Sequence, residues 1–366
     1  MKSKKIFSWI IAATVIFSNI TIIPSNTEIA YATSKDGNFT LNGDTLTIKS
    51  GSDVIDVQVC EDNILRVNYK PNGQEDEDTE VLDSNQKWGK AKITKSDLDS
   101  DTVVLETEAM TVKIGKSDLS LSVYDSSKGL LVRQSKLSTG SISFSHNSGE
   151  NFYGITGYSN GTNATDGTIR NNGQFNVESG SQGYAGGPFV WSNGGYGLLV
   201  DSDGGKITTG DNTLEYSGIS KKDAEYFIIV GDPETIAKGL SEASGKTPMY
   251  PKWAMGYTNT QWGWPGTGTV ESQVKEVIGT YRSKNIPIDN FCFDFDWKYW
   301  GVPEMDNGEF TWNGDNFPSA ASGNLKKWQD DNGIHFTGII KPRIFTGKEN
   351  GKDTAEYAAM KAGGIC

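Results

Sequence analysis

Cysteine is scarce in this chain, with only Cys60, Cys292 and Cys366 among 366 residues. So sparse and odd a set gives no disulfide framework, and stability has to come from a packed core. Positive charge is in deficit as well. The formal net charge is −12 at pH 7, which argues against nucleic acid or anionic lipid as a partner and leaves neutral or cationic ones. No glycine-rich phosphate loop follows any strand-like segment, which disfavours a phosphate-binding barrel. Beyond the first residues there is no long apolar run, so no membrane-spanning helix is expected there.

The first residues are a separate matter. A basic "MKSKK", an apolar "IFSWIIAATVIF" and a small-x-small "AYA" ending at Ala32 make up a secretory signal peptide over residues 1–32. The mature protein is then expected to be extracellular or at the cell surface, with no membrane attachment after cleavage. Loss of Lys2, Lys4, Lys5 and Glu28 takes the net charge from −12 to −14.

Two rhythms follow. From about Asn38 to Val230, short runs such as "TLTIKS", "NILRVNYK" and "TVVLETEAMTVKI" alternate apolar and polar residues between turn signals such as "PNG" and "SSKG". This predicts a large antiparallel β-sandwich over residues 33–250. Within it, the acidic "QEDEDTE" (Gln74–Glu80) reads as a solvated loop. Asp97, Asp99, Asp101 and Glu108 mimic calcium-ligand spacing, but Thr102 replaces the turn glycine and "TVVLE" runs on as a strand, so no metal is expected.

After Pro251, strand-like "KWAMGYTNT" leads into "TVESQVKEVIGTYRSKN", with Val270, Val274, Val277, Ile278 and Tyr281 on one helical face. Strands in "DNFCFDFDWKYWG" and "HFTGIIKPRI" alternate with helices in "SGNLKKWQDDNG" and "DTAEYAAMKAGG". Strand and helix in strict alternation predict parallel βα units over residues 251–366. A closed (β/α)8 barrel needs about 250 residues, and only three of its units are present, so the chain is expected to be an N-terminal piece of a longer protein. The stretch Asp289–Gly301, read as one strand, puts Phe291, Phe293, Phe295 and Trp297 on one face and Cys292, Asp294 and Asp296 on the other. Lys341 and Arg343 are likewise two apart on the next strand, where they form either a structural ion-pair cluster with the acids or a set of fixed donors for a polar ligand. Trp253, Trp262, Trp264, Trp297, Trp300 and Trp312 concentrate in the same span. Their flat faces suit a packed core or the apolar face of a ring-shaped ligand.

"PKWAMGY", "QWGW", "RSKNIPIDNFCFDFDW", "FTWNGDNFP" and "IKPRI", in that order, resemble the opening of the catalytic barrel of glycoside hydrolase family 31. "ENFYGITGY" and "GPFVWSNGGYGLLVDS" resemble that family's N-terminal, galactose-mutarotase-like β-sandwich. The resemblance implies a retaining α-glycoside hydrolase or an α-glucan transglycosylase acting on α-linked oligosaccharides or glycans, without a cofactor. It implies that Asp294 binds hydroxyls of the sugar being cleaved off, and that Trp262 and Ile344 line the site. Trp297, where the family commonly has Tyr, and the paired Lys341 and Arg343 resemble a subgroup with N-acetylgalactosamine-specific members. The nucleophile and acid/base have no counterpart and are expected beyond Cys366. Asp294 and Asp296 cannot replace them. A retaining pair sits about 5 to 5.5 Å apart on opposite sides of the scissile bond, whereas neighbours on one strand flank the sugar from one side. A noncatalytic carbohydrate-binding protein is the alternative from another class.

Overall fold

The computed structural model describes residues 34–366 except 80, 90, 159–168, 178–184, 265, 267, 299–311, 341–345, 347, 350–351, 354 and 365–366. The signal peptide expected over 1–32 lies outside the described residues. The chain divides into two compact units, Met1–Thr247 and Pro248–Cys366.

Two nine-stranded antiparallel sheets build the first unit. One sheet has the spatial order Ser34–Asp36, Phe39–Asn42, Thr45–Ser50, Asp53–Glu61, Ile64–Lys70, Ala224–Val230, Tyr196–Val200, Ala185–Ser192, Phe152–Tyr158. The other runs Gly173–Asn176, Lys206–Thr209, Thr213–Ser217, Ser141–His146, Leu130–Gln134, Leu121–Asp125, Met110–Gly115, Thr102–Glu106, Lys95–Asp97. Alternation decides what goes inward: Leu46 and Ile48, Val57 and Val59, Val112 and Ile114, Ile142 and Phe144 all enter one shared core. The sandwich predicted from the sequence is therefore present.

Ala224–Val230 departs from alternation because all seven residues are buried. Tyr226, Ile228 and Val230 face the shared core, whereas Phe227 and Ile229 lie under a helix, Pro233–Ser244, that the periodicity did not predict. Its signals were nonetheless local. Asp232 caps the helix by accepting the Thr235 N–H at 2.8 Å, and Pro233 occupies its first turn. Gly239 lets the helix sit close, since a Cβ there would come within 2.6 Å of Ile229.

Beyond the helix, the same outer face carries charge. Lys221 pairs with Asp201 at 2.5 Å and lies 3.7 and 3.8 Å from Asp223 and Glu225, and Arg66 meets Glu225 at 2.5 Å. The acidic segment expected to be a solvated loop is tied down here. Asp76 pairs with Lys70 at 3.1 Å and Arg66 at 3.5 Å, Glu77 accepts the Lys222 N–H at 2.7 Å, and Thr79 donates to Asp201 at 3.0 Å. Asp97, from the calcium-like spacing, instead accepts the N–H groups of Asp99 and Ser100 in a tight turn before the strand Thr102–Glu106.

Burial pushes the carboxyls of Asp223 and Glu225 above their usual range, against the pull of Lys221 and Arg66. A carboxyl with a raised folded-state pKa contributes stability that is fully present below its unfolded value, about 4, and is lost as pH rises through the folded value. Asp76 works the other way. Burial alone would raise it, but Lys70 and Arg66 outweigh burial and hold it low, so its contribution is lost in strong acid. Asp223 and Glu225 are therefore expected to add stability as pH falls toward their unfolded value, and Asp76 to lose its contribution in stronger acid. Asp223→Asn should accordingly make Tm fall more steeply on acidification than in the wild type, and an unchanged Tm–pH profile would contradict the burial of Asp223.

The second unit contains three parallel strands in the order Thr258–Gln261, Asn290–Phe293, His335–Gly338. Helices follow at Val270–Ser283, Asn324–Asp331 and Ala355–Ala362, as the βα alternation predicts. Val270, Val274 and Ile278 of the first helix and Leu325 of the second pack with Phe291, Phe293, Phe317 and Ile334. Val277 and Tyr281 complete the predicted helical face from its partly buried margin. Among the described residues, no helix is long and apolar enough to cross a membrane.

One expectation is corrected. The strand reaches only Phe293 instead of running through Trp297, and Phe295–Trp297 form a 3-10 turn. Alternation therefore ends before Trp297. The strand predicted at 335–344 is seen over His335–Gly338, and Lys341, Arg343 and Ile344 lie outside the described residues.

Candidate functional site

Register brings the predicted residues to one end of the parallel sheet. Thr258 pairs with Asn290 and Asn290 with His335, and at the C-terminal ends Gln261 pairs with Phe293 and Phe293 with Gly338. Trp262, Asp294 and Ile339 are thus the next residues beyond three adjacent strand ends. In parallel βα architectures this end carries the ligand site, because the loops there are the free ones.

The two faces of the middle strand separate as the sequence predicts. Phe291 and Phe293 are buried against the helices. On the opposite face, Asn290 donates to Thr258 at 3.3 Å and Thr337 at 2.9 Å, linking all three strands. Cys292 follows, partly buried, and then Asp294, half-buried past the strand end. This is a polar wall ending in a carboxylate. The alternation had signalled that face, but Asn290 as its cross-link went unnoticed because a lone Asn carries no distinctive pattern.

Trp297 takes a fixed position against the neighbouring strand end. Its indole N–H donates to the Ile339 carbonyl at 2.9 Å, and its ring meets Trp312 edge-on at 5.5 Å. Gly338 is what allows this, because a Cβ there would lie 2.8 Å from Trp297 Nε1. Gly338→Ala is expected to displace the indole, break the bond to Ile339 and cost about 1–3 kcal/mol, as overpacking does. An unchanged Tm together with an unchanged tryptophan emission maximum would refute that contact.

The other tryptophans divide by environment. Trp262 is 76% exposed, so its ring is free to meet a ligand. Trp264 packs on Phe291 at 5.8 Å and Trp253 stacks on His335 at 4.2 Å, which makes both structural. Trp312, 37% exposed, joins Phe293, Phe317 and Trp297 and bridges core and surface. Trp300 and the side chain of Phe295 lie outside the described residues.

Two charged groups complete the surroundings. Burial pushes the Asp296 carboxyl up, and the neighbouring Asp294 adds to the shift. Lys298 is fully buried, its ammonium pushed down by that burial against the pull of Glu356, and its backbone bridges to Trp312. Lys298 was not singled out from the sequence, since a lysine among aromatics gives no sign of burial. The partners expected for Asp296, Lys341 and Arg343, lie outside the described residues. Among the described residues, no group of three or more His, Cys, Asp or Glu side chains is placed to hold a metal ion.

Residues 247–366 match the model of the "Glycosyl hydrolases family 31 TIM-barrel domain", and residues 54–203 match that of the "Glycosyl hydrolase 31 N-terminal galactose mutarotase-like domain". The chain is 34% identical to a 1,6-alpha-glucosyltransferase of Sporosarcina globispora over 98% of its own length and 29% of that protein's. It is 26% identical to an alpha-xylosidase of Saccharolobus solfataricus over 85% of its own length and 42% of the relative's. It therefore spans less than half of each. Among solved structures, a GH31 alpha-xylosidase from a soil metagenome, complexed with xylose, superposes with a TM-score of 0.70 at 19% identity, covering 90% of this chain and 50% of that one. A GH31 dextranase of Flavobacterium johnsoniae, complexed with isomaltotriose, gives 0.64 at 19% identity over 84% and 38%. At such identities the superpositions speak for the fold.

Proposed function

The chain belongs to glycoside hydrolase family 31, and from that premise we propose that it is the sandwich and opening barrel wall of a longer, secreted, retaining enzyme acting on α-glucans. Its glycosyl unit is glucose, and transfer to another sugar is its favoured outcome, with hydrolysis as the competing fate of the same intermediate. The observation that carries this is the 34% identity, along 98% of the chain, to a 1,6-alpha-glucosyltransferase. None of the relatives named above is named for an N-acetylgalactosamine activity, so the subgroup suggested by Trp297, Lys341 and Arg343 finds no support among them.

In this reading Asp294 accepts hydroxyl hydrogen bonds from the sugar that is transferred, and Trp262 offers a flat apolar face to a pyranose. Fixed acceptors of this kind discriminate between sugars because a ligand lacking the matching hydroxyl leaves them unpaired. The covalent chemistry requires a carboxylate pair across the scissile bond, which Asp294 and Asp296 do not form. The 366-residue chain assayed alone is therefore expected to give no turnover. A protein carrying it with a complete barrel should release p-nitrophenol from p-nitrophenyl α-glucoside and build longer oligosaccharides from maltooligosaccharides. Activity on an α-N-acetylgalactosaminide alone, or no glycoside cleavage, would overturn the proposal.

A further inference from the structure

The middle strand secures the backbone of Asp294 on one side. Phe293, its last residue, pairs with Gln261 and Gly338 and accepts the Ile339 N–H at 2.9 Å. On the other side Asp294 runs directly into the turn Phe295–Trp297. How well its carboxylate is aimed therefore depends on how firmly that turn is held.

A segment further along the chain holds it. Trp312 forms an antiparallel bridge with Lys298, the Asn313 N–H donates to the Trp297 carbonyl at 2.9 Å, and the Asn316 side-chain amide donates to the Asp296 carbonyl at 2.9 Å. A carbonyl oxygen only accepts, so the amide nitrogen of Asn316 is the atom that must face it. The backbone of Asn316 is fixed as well. Its N–H donates to Asn313 Oδ1 at 3.3 Å, and its carbonyl accepts the Glu271 N–H at 2.9 Å in the first turn of the helix Val270–Ser283. The next residue, Phe317, is buried and packs edge-on against Phe293 at 5.0 Å. Asn316 is thus a strut between that helix and the turn.

We propose that Asn316 is a positioning residue: through the Asp296 carbonyl it holds the turn Phe295–Trp297, and the turn aims the Asp294 carboxylate at the sugar. The inference rests on the proposed function, in which Asp294 contacts the transferred sugar. Asn316 acts through the turn and not on the substrate. What the strut needs is a donor at that place. Aspartate has the volume of asparagine, but as a carboxylate it only accepts, so it sets one acceptor against another.

In a protein carrying the complete barrel, a double-mutant cycle separates positioning from stability. Asn316→Ala is expected to lower kcat/KM for p-nitrophenyl α-glucoside about tenfold. In an Asp294→Ala background the same substitution should cost less than about twofold, because the group it aims is already gone. Asn316→Asp should behave like alanine despite its matching volume, and it takes over the cycle if Asn316→Ala fails to fold. Exchange of the Trp297 indole N–H, which donates to Ile339 at 2.9 Å, reads the turn in the full chain whatever the substrate. It should speed up about tenfold in both variants. Equal losses of kcat/KM in the two backgrounds would disprove the positioning of Asp294. Wild-type kinetics in Asn316→Asp, or unchanged indole exchange, would disprove the strut. A wild-type enzyme inactive on every α-glucoside would instead count against the proposed function, and the exchange result would still decide whether Asn316 holds the turn.

Discussion

Asp294→Ala, in a protein carrying the complete barrel, is expected to lower kcat/KM on α-glucosides by about a hundredfold or more while Tm shifts little. The carboxylate stands one residue past the end of the middle parallel strand and is half-buried, while Phe291 and Phe293 of that strand pack in the core. A hydrogen bond to a charged group contributes about 1.5–3 kcal/mol, and about 1.4 kcal/mol corresponds to a factor of ten in rate. Two sugar hydroxyls held in this way account for a hundredfold, and part of that gain is realised only in the transition state of a glycosidase. The substitution leaves the phenylalanine core beneath intact, which is why stability should hold. Near-normal kinetics with Tm many degrees lower would make Asp294 a structural acid.

The second large effect concerns stability. Asp201→Ala should cost the sandwich about 3–5 kcal/mol, because it removes the nearest counterion of the buried Lys221 and leaves only Asp223 and Glu225, whose own burial favours their neutral forms. Asp201 is fully buried and Lys221 nearly so, with the pair 2.5 Å apart. The same carboxylate also accepts from Thr79 at 3.0 Å and from the Val81 N–H at 3.1 Å, so its loss frees the acidic segment as well. For a unit of this size the expected drop in Tm is about 10 °C. Asp201→Asn, which keeps an acceptor for Thr79 and Val81 but removes the charge, should fall in between. A loss below about 2 °C in the alanine variant would show that Lys221 finds its compensation in Asp223 and Glu225.

Local pattern was most informative where one face of an element is buried and the other is not. Leu46 and Ile48, or Val270, Val274 and Ile278, announce themselves because their spacing repeats that of the element. It failed where burial is two-sided or where the backbone changes type. In Ala224–Val230 both faces are covered, so alternation vanishes, and the helix that covers one of them was missed. In Asp289–Gly301 alternation in the letters outlasts the strand, because aromatic and acidic residues continue to alternate through a 3-10 turn.

The sequence by itself determined the two architectures, the outward phenylalanines of the middle strand and the presence of Asp294 and Trp262 near strand ends. The first two follow from periodicity, which each element carries within itself, whereas the placing of Asp294 and Trp262 came with the family resemblance. Only tertiary structure decided that Glu77 and Thr79 of the acidic segment are tied to Lys222 and Asp201, and that Trp297 is locked to Ile339 over Gly338. Each of these is a contact between residues far apart in the chain. Which donor meets which acceptor is set by strand register and by the volume left between elements, and no local run of residues encodes either one alone.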